Sequence, residues 1–403
     1  MALGSVIIVG GGMAGFAAAR ELRARGFSGR VTIIDPEGMP YDRPPLSKDY
    51  LLGRKSPQQL LLADPAWFSE QDIAVVTGKA AALMPDEGIV LLADGRSLAA
   101  DKIVLATGAV PRRLEIPGAD TGSVLELRNR DDADKLRALL WPGVRLAIIG
   151  AGLIGAETAS AALALGAQVT LIDPVSPPLV PAVGAHLAGR LHAMHAARGI
   201  EVITGVPAAI TPDPSGSTIT LAGGRTVSAD QVLVGIGVAA DTTLAAFAGL
   251  DTDNGILVDE RQRSSHPNIY AVGDAARVRL PDGRLLRRAE HWEHARNTGA
   301  TAAAALLGQE LPNHGASWFW SDRHGVHVEG VGSMAGGGTV VVRERNGVPV
   351  ASFRLDVAGY MLGCAAVDGG LLVRAARRII DRAILVDPAK LADPDVDLRK
   401  MAR

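Results

Sequence analysis

Two stretches of the chain carry the residue types and spacing of a nucleotide cradle. Residues 5–37, SVIIVGGGMAGFAAARELRARGFSGRVTIIDPE, and residues 145–175, RLAIIGAGLIGAETASAALALGAQVTLIDPV, follow one plan. A Val/Ile-rich run leads into G-x-G-x-x-G, an Ala-rich stretch follows and closes on a glycine (Gly26, Gly166), and a second β-branched run ends on an acid. Gly10 and Gly150 permit a tight turn. Gly12 and Gly152 let backbone approach a pyrophosphate, and Gly15 and Gly155 let a helix lie close to its strand. The N-terminus of that helix presents unpaired N–H groups to phosphate. Asp35 and Asp173 stand at the ends of the second runs, at the spacing that brings a carboxylate to a ribose hydroxyl.

Two dinucleotide sites in one polypeptide point to electron transfer between a flavin and a nicotinamide. FAD is expected on the first copy and NAD(P)H on the second. Asp173 accepts from a 2′-hydroxyl and repels a 2′-phosphate, and the following PVSPPLVPAVGAHLAG contains no Lys or Arg. NADH is therefore expected over NADPH. The alternative is an inert duplicated scaffold. A third stretch, YDRPPLSKDY at 41–50, places Pro44 and Pro45 just before Lys48. Prolines fix φ and disfavour helix in the preceding residue, so a rigid, extended segment is expected there.

The elements that must hold these residues are strands and helices in alternation. Val6–Val9 and Leu146–Ile149 are continuous apolar runs, as strands buried on both faces require. AADKIVLATG (99–108) and SADQVLVGIG (228–237) read as further strands ending at Thr107–Gly108 and at Gly235–Ile236–Gly237. IYAVGD brings Gly273 and Asp274 to a strand tip, where Asp274 is a candidate ligand for ribityl hydroxyls. EHWEHARNTGATAAAALLG predicts a helix entered near Trp292 and stopped around Gly308, its N-terminal dipole suited to an anionic group. Beyond Trp318, TVVVRERNGVPVASFRL alternates as a hairpin turning at Asn346-Gly347 and LLVRAARRIIDR reads as a helix. That region is expected to be a small α+β domain.

Composition bounds the rest. A chain of 403 residues with 48% hydrophobic content supports two to three domains with sizeable cores. A formal net charge of −2 offers no general basic field for nucleic acid. The single cysteine, Cys364, rules out an intrachain disulfide and a CxxC mechanism. The N-terminal apolar run lacks a basic flank and is cut by glycines, and no apolar run approaches a membrane span. A cytoplasmic protein with no membrane association is expected.

VGGGMAG, PYDRPPLSK, ATG, IGAGLIGAE, GIG, AVGD, WFWSD and DPDVDLRK, in that order across nearly all of the chain, resemble the FAD-dependent NADH–ferredoxin reductases of oxygenase systems. PYDRPPLSK and IGAGLIGAE are the specific marks. The resemblance implies an α/β fold with two Rossmann-like dinucleotide-binding domains of glutathione-reductase type and a C-terminal α+β domain. FAD would occupy residues 1–110 with 240–312, NAD residues 111–239, and the C-terminal domain residues 313–403. It implies that FAD is held by Gly10, Gly12, Met13, Ala14, Gly15, Arg43, Lys48, Ala80, Thr107, Gly108, Arg112, Gly273, Asp274, Glu290, His291, Trp292 and Trp320. Asp35 and Glu37 both stay open as the ribose ligand. NAD would be held by Gly150, Gly152, Leu153, Ile154, Gly155, Glu157, Asp173, Gly235, Ile236 and Gly237. Lys48 and Glu157 form the catalytic pair in this resemblance, orienting the nicotinamide carboxamide and holding the flavin edge. The partner it implies is a 2Fe–2S ferredoxin, and Arg374, Arg377, Arg378 and Arg382 fall on one helical stripe suited to docking it. Rubredoxin, a small acceptor, and redox sensing in the manner of apoptosis-inducing factor are the alternatives.

Overall fold

The computed structural model describes residues 3–120, 122–214 and 216–402; the outermost limits drawn from the sequence, residues 1 and 403, lie outside these. The fold is mixed α/β, and the chain gathers into two compact units. One comprises Met1–Pro44, Lys55–Val110 and Val238–His314; the other comprises Pro45–Arg54, Pro111–Gly237 and Gly315–Arg403.

In the first unit, β1 (Ser5–Val9), α1 (Met13–Ala24), β2 (Arg30–Asp35), β3 (Ile73–Thr77) and β4 (Lys102–Leu105) build a parallel sheet. Its order is Ile269–Ala271, β4, β1, β2, β3. The central β1 is flanked by Val31–Ile34 on one side and Lys102–Leu105 on the other. It must be apolar on both faces, which is why SVIIV shows no alternation. The helix Trp292–Leu306 packs on α1 so closely that a Cβ on Gly299 would meet the Ala14 carbonyl oxygen at 2.3 Å. Three short antiparallel strands, Ala80–Met84, Ile89–Leu92 and Ser97–Ala99, complete the crossover.

The second unit repeats this plan. β5 (Arg145–Ile149), α2 (Leu153–Ala164) and β6 (Gln168–Asp173) lie in a parallel sheet with β7 (Gln231–Val234), ordered Glu201–Thr204, β6, β5, β7, Val124–Leu125. Its crossover is again three antiparallel strands, Pro207–Asp213, Gly216–Leu221 and Thr226–Ala229. The duplication therefore extends well past the glycine fingerprints. Helix α3 (Ala185–Ala196) follows β6 in the chain.

The C-terminal portion of this unit is an antiparallel sheet of β8 (Trp318–Arg323), β9 (Val326–Gly332), β10 (Thr339–Arg345), β11 (Val348–Leu355) and β12 (Met361–Val367), ordered β8-β9-β12-β11-β10. Helix α4 (Gly370–Asp381) packs its Val373, Ala376 and Ile379 into the core with Phe353, Cys364 and Val331. Asn346 and Gly347 both take positive φ, 53° and 73°, as the two central residues of a type I′ hairpin must.

The segment around Pro44–Pro45 differs from the extended stretch expected. Pro44–Ser47 is a turn of 3₁₀-helix, and the Lys48 N–H donates to the Pro45 carbonyl at 3.0 Å. Proline's fixed φ also suits the first helical positions, where its missing N–H would have had no partner. The rigidity remains but its form is a coil, which lifts Lys48 at the end of a tight turn. Among the described residues no helix is long and apolar enough to cross a membrane.

Candidate functional site

Each cradle is built by the same local device. In the first, Gly10 (φ 110°) turns so tightly that a Cβ would meet the Ala106 carbonyl oxygen at 2.2 Å, and a Cβ on Gly15 would meet the Gly10 carbonyl oxygen at 2.0 Å. Gly12 is different: a Cβ there would find no protein atom within 4 Å. Its backbone is therefore left open to approach from outside the polypeptide. Met13 and Ala14 open α1 directly after it. Asp35, 7% exposed, accepts from the Gly11 N–H at 2.6 Å and from the Glu37 N–H at 2.7 Å. Burial raises its carboxyl above the ordinary range, against the pull of those two amides. Glu37 is taken up elsewhere, accepting from Tyr41 Oη and from Arg43 at 2.9 Å. A cleft is lined by Gly11, Gly12, Asp35, Pro40, Tyr41 and Arg43, among others. Asp35 faces it beside the open glycine. These residues fit the adenosine diphosphate end of FAD: a bare backbone for the pyrophosphate and a fixed carboxylate for the ribose.

Other residues named for FAD fall in the same unit. Thr107 Oγ1 donates to the Asp241 carbonyl at 2.6 Å, and the Asp241 N–H donates to the Gly108 carbonyl at 2.9 Å. Gly273 and Asp274 form a 3₁₀ turn after Ile269–Ala271; the Gly273 N–H donates to Thr298 Oγ1, and the Asp274 carbonyl accepts from Arg288. Arg288 also pairs with Glu290 at 2.7 Å. His291 caps the Trp292 helix by accepting from the His294 N–H, and burial lowers its pKa. Trp292 Nε1 donates to Asp42 at 2.8 Å, a partner that the sequence reading did not pick out. Ala80 lies in the crossover, on the strand Ala80–Met84.

The second cradle repeats the geometry. Gly150 (φ 107°) and Gly155 have no room for a Cβ, whereas Gly152 is open. Leu153 and Ile154 begin α2. Asp173 accepts from the Ala151 N–H at 2.7 Å and from the Val175 N–H at 2.8 Å. Gly235, Ile236 and Gly237 follow β7, and the Gly237 carbonyl accepts from the Arg112 N–H. These residues fit the equivalent end of a second dinucleotide.

The second unit also assembles a charged centre. Glu157, one turn into α2, is 6% exposed. It accepts from Ser47 Oγ at 2.6 Å, from Ser321 Oγ at 2.5 Å and from Lys48 Nζ at 3.2 Å. Lys48 Nζ also donates to Asp322 at 2.9 Å and lies 5.5 Å from the Trp320 ring centroid. Trp320 stacks on Trp318 at 5.0 Å. Burial of Asp322 acts to raise its pKa, but the hydrogen bonds from Lys48 and His327 outweigh it, and the carboxyl sits below the ordinary range. Arg323, buried behind Ser321, donates to its hydroxyl at 2.8 Å. A buried carboxylate with two hydroxyl donors and a lysine is an arrangement for fixing an ammonium in place. Ser47, Ser321 and Asp322 were not singled out from the sequence, and Arg323, read there as a further docking arginine, is buried. The signal for Asp322 was present in W-x-W-x-D, since alternate residues of a strand share a face.

A family model for pyridine nucleotide-disulphide oxidoreductases matches residues 4–299, the whole span holding both cradles. The chain belongs to that family. A second model, for the reductase C-terminal region, matches residues 318–402 of this oxidoreductase. It is 36% identical over 404 residues to the ferredoxin–NAD(+) reductase component of the p-cumate 2,3-dioxygenase system of Pseudomonas putida, covering 99% of both chains. It is 38% identical over 398 residues to the corresponding component of the anthranilate 1,2-dioxygenase system of Burkholderia cepacia, covering 98% of both. Its fold superposes on the reductase in a solved covalent putidaredoxin reductase–putidaredoxin complex with a TM-score of 0.92 at 31% identity, over 99% of this chain and 98% of that one. The disulfide in the family's name has no counterpart in this oxidoreductase: Cys364 is its one cysteine, buried, with burial pushing the thiol pKa up.

Proposed function

We propose that this oxidoreductase is an FAD-dependent NADH–ferredoxin reductase, passing electrons from NADH to a 2Fe–2S ferredoxin that feeds an oxygenase, either a Rieske dioxygenase or a cytochrome P450. The observation that carries this reading is the repeated cradle, in which a carboxylate is pinned on two backbone amides beside a bare glycine in each copy. Whole-length likeness to ferredoxin reductase components supports the choice of acceptor. The FAD part comprises residues 1–110 and 240–312, the NAD part 111–239, and residues 313–403 form the C-terminal domain. The protein works in the cytoplasm.

Bound FAD supplies a ring that accepts a hydride and gives up electrons singly. The chain's own residues position. Gly12 and Gly152 admit pyrophosphates to backbone, and Asp35 and Asp173 hold ribose hydroxyls. Asp173, with no cation close after it in the chain, favours NADH. Lys48 and Glu157 orient the nicotinamide carboxamide. Arg374 and Arg378, exposed on α4, and Arg382, exposed at its C-cap, offer a cationic stripe to an acidic ferredoxin, whereas Arg377 leans toward Asp381 at 4.0 Å.

Stopped-flow reduction by NADH, followed by cytochrome c reduction with and without a 2Fe–2S ferredoxin, tests this reading. Fast bleaching and ferredoxin-dependent turnover are expected; indifference to ferredoxin overturns it. Lys48→Ala and Glu157→Ala should each slow reduction about a hundredfold, the cost of losing positioning, while FAD stays bound. A variant purified without flavin refutes the positioning role.

A further inference from the structure

Lys48 is shared between two carboxylates, and the second of them leads to a histidine. β8 and β9 pair antiparallel with Asp322 directly opposite His327. His327 Nδ1 lies 2.5 Å from Asp322 Oδ1, and its Nε2 lies 3.1 Å from Glu329 Oε1. Glu329 is two residues along the same strand, 8% exposed, and also accepts from Trp318 Nε1 at 2.9 Å. Both ring nitrogens of His327 thus face carboxylate oxygens. Only an imidazolium donates from both; a neutral ring donates from one and leaves a carboxylate facing a lone pair. The ring is 41% exposed, so it exchanges protons with water.

The consequence runs through Asp322. Its Oδ1 is on His327 and its Oδ2 is on Lys48. When His327 carries charge, Asp322 is divided between two cations. When it does not, one of the cations on Asp322 is gone and the carboxylate competes harder with Glu157 for the Lys48 ammonium, by the modest amount that a half-exposed ion pair allows. Other charged groups stand near His327. Asp368, after β12, accepts the His327 backbone N–H. From α4, Gly370 rather than a charged side chain meets Glu329, where a Cβ would come within 2.6 Å of Oε1. Arg323 donates to Ser321, and its charge acts on both Glu157 and Asp322.

We propose that Asp322 and His327 are positioning residues for Lys48, and that the proton on His327 sets how the Lys48 ammonium is divided between Asp322 and Glu157. The charged ring keeps Lys48 on Glu157, so the step that depends on this pair slows as His327 deprotonates. The inference rests on the role proposed above for Lys48 and Glu157.

The test pairs histidine-selective NMR of the holoprotein with stopped-flow flavin reduction between pH 6 and 9. The His327 resonance is assigned by its loss in His327→Gln. Expected is a reduction rate that falls about tenfold with rising pH, with the same midpoint as the His327 resonance. In Asp322→Asn the pH dependence of reduction should be lost, because the link from His327 to Lys48 is cut. His327→Gln should give a flat profile at the slow level, and His327→Lys, whose charge persists, a flat profile at the fast level. An inflection that survives in Asp322→Asn or in His327→Gln overturns the proposal. If Lys48→Met leaves flavin reduction unchanged, the underlying role of Lys48 has failed instead; if Lys48→Met slows reduction and His327→Gln keeps the wild-type pH profile, only the present inference has failed.

Discussion

The two cradles share every backbone device and differ in what stands behind the acid. In the first, Asp35 is buried, and Pro40, Tyr41 and Arg43 line the cleft it faces, with Glu37 braced by Tyr41 and Arg43. In the second, Asp173 is half-buried and Val175 after it is exposed. The same fingerprint thus serves an enclosed site and an open one. An enclosed site suits a cofactor that stays through many turnovers, and an open one suits a cofactor that must arrive and leave each cycle.

The strongest way to break this comparison is to fill the bare glycines. A Cβ at Gly12 or Gly152 meets no protein atom within 4 Å, so the fold should survive while pyrophosphate is displaced. Gly12→Val should purify colourless with a near-native circular dichroism spectrum. Gly152→Val should remain yellow and lose at least about tenfold in NADH affinity, or 1.4 kcal/mol, measured by titration of flavin bleaching. A yellow Gly12→Val would end the assignment of FAD to the first cradle.

A smaller effect should come from the acids. Asp35→Ala removes an acceptor from the Gly11 N–H and a ribose ligand together, and FAD dissociation, followed by fluorescence release, should accelerate by about tenfold for a lost charge-assisted hydrogen bond. Asp173→Ala should leave FAD in place and narrow the preference for NADH over NADPH. An unchanged cofactor ratio would show that selectivity lies elsewhere.

The mildest effect concerns acid stability. His195 is buried on α3 with His324 2.9 Å away, and burial, with His324 and Arg323 adding to it, pushes its pKa down to about 3. A folded pKa below the unfolded value means that the unfolded chain binds the extra proton. The stability that follows from keeping this ring neutral is complete above about pH 6.5 and is lost as pH falls from there toward 3, at up to about 1.4 kcal/mol per pH unit. Urea unfolding at pH 7 and pH 5 should show a shallower acid loss in His195→Gln than in the wild type; equal slopes would remove His195 from the account.

How much was legible follows from the range of the forces involved. Gly10, Gly12 and Gly15 and their repeats at Gly150, Gly152 and Gly155 were read at once, because the turn and helix contact they permit are steric matters settled within a few residues. The α4 helix and the Asn346-Gly347 hairpin were legible for the same reason. The Pro44–Pro45 segment was misread as extended, since proline's φ serves both conformations and only the packed Pro45, Leu46 and Ser47 select the 3₁₀ turn. Sequence alone left Asp35 and Glu37 equal. Their hydrogen bonds separate them: Asp35 goes to the fingerprint amide and Glu37 to Tyr41 and Arg43.

By itself, then, the order of residues determined that this chain makes two phosphate-binding turns, each with an acid some twenty residues on, because those features need only neighbours along the backbone. Tertiary structure decided the company of Lys48. The family resemblance pairs it with Glu157, but nothing local in the chain does so, and Asp322 joins only in the folded structure; both stand more than a hundred positions away, and no local preference foretells which charges a folded chain will bring together. Burial is what gives that meeting its force: the same ions in open water would attract one another only weakly.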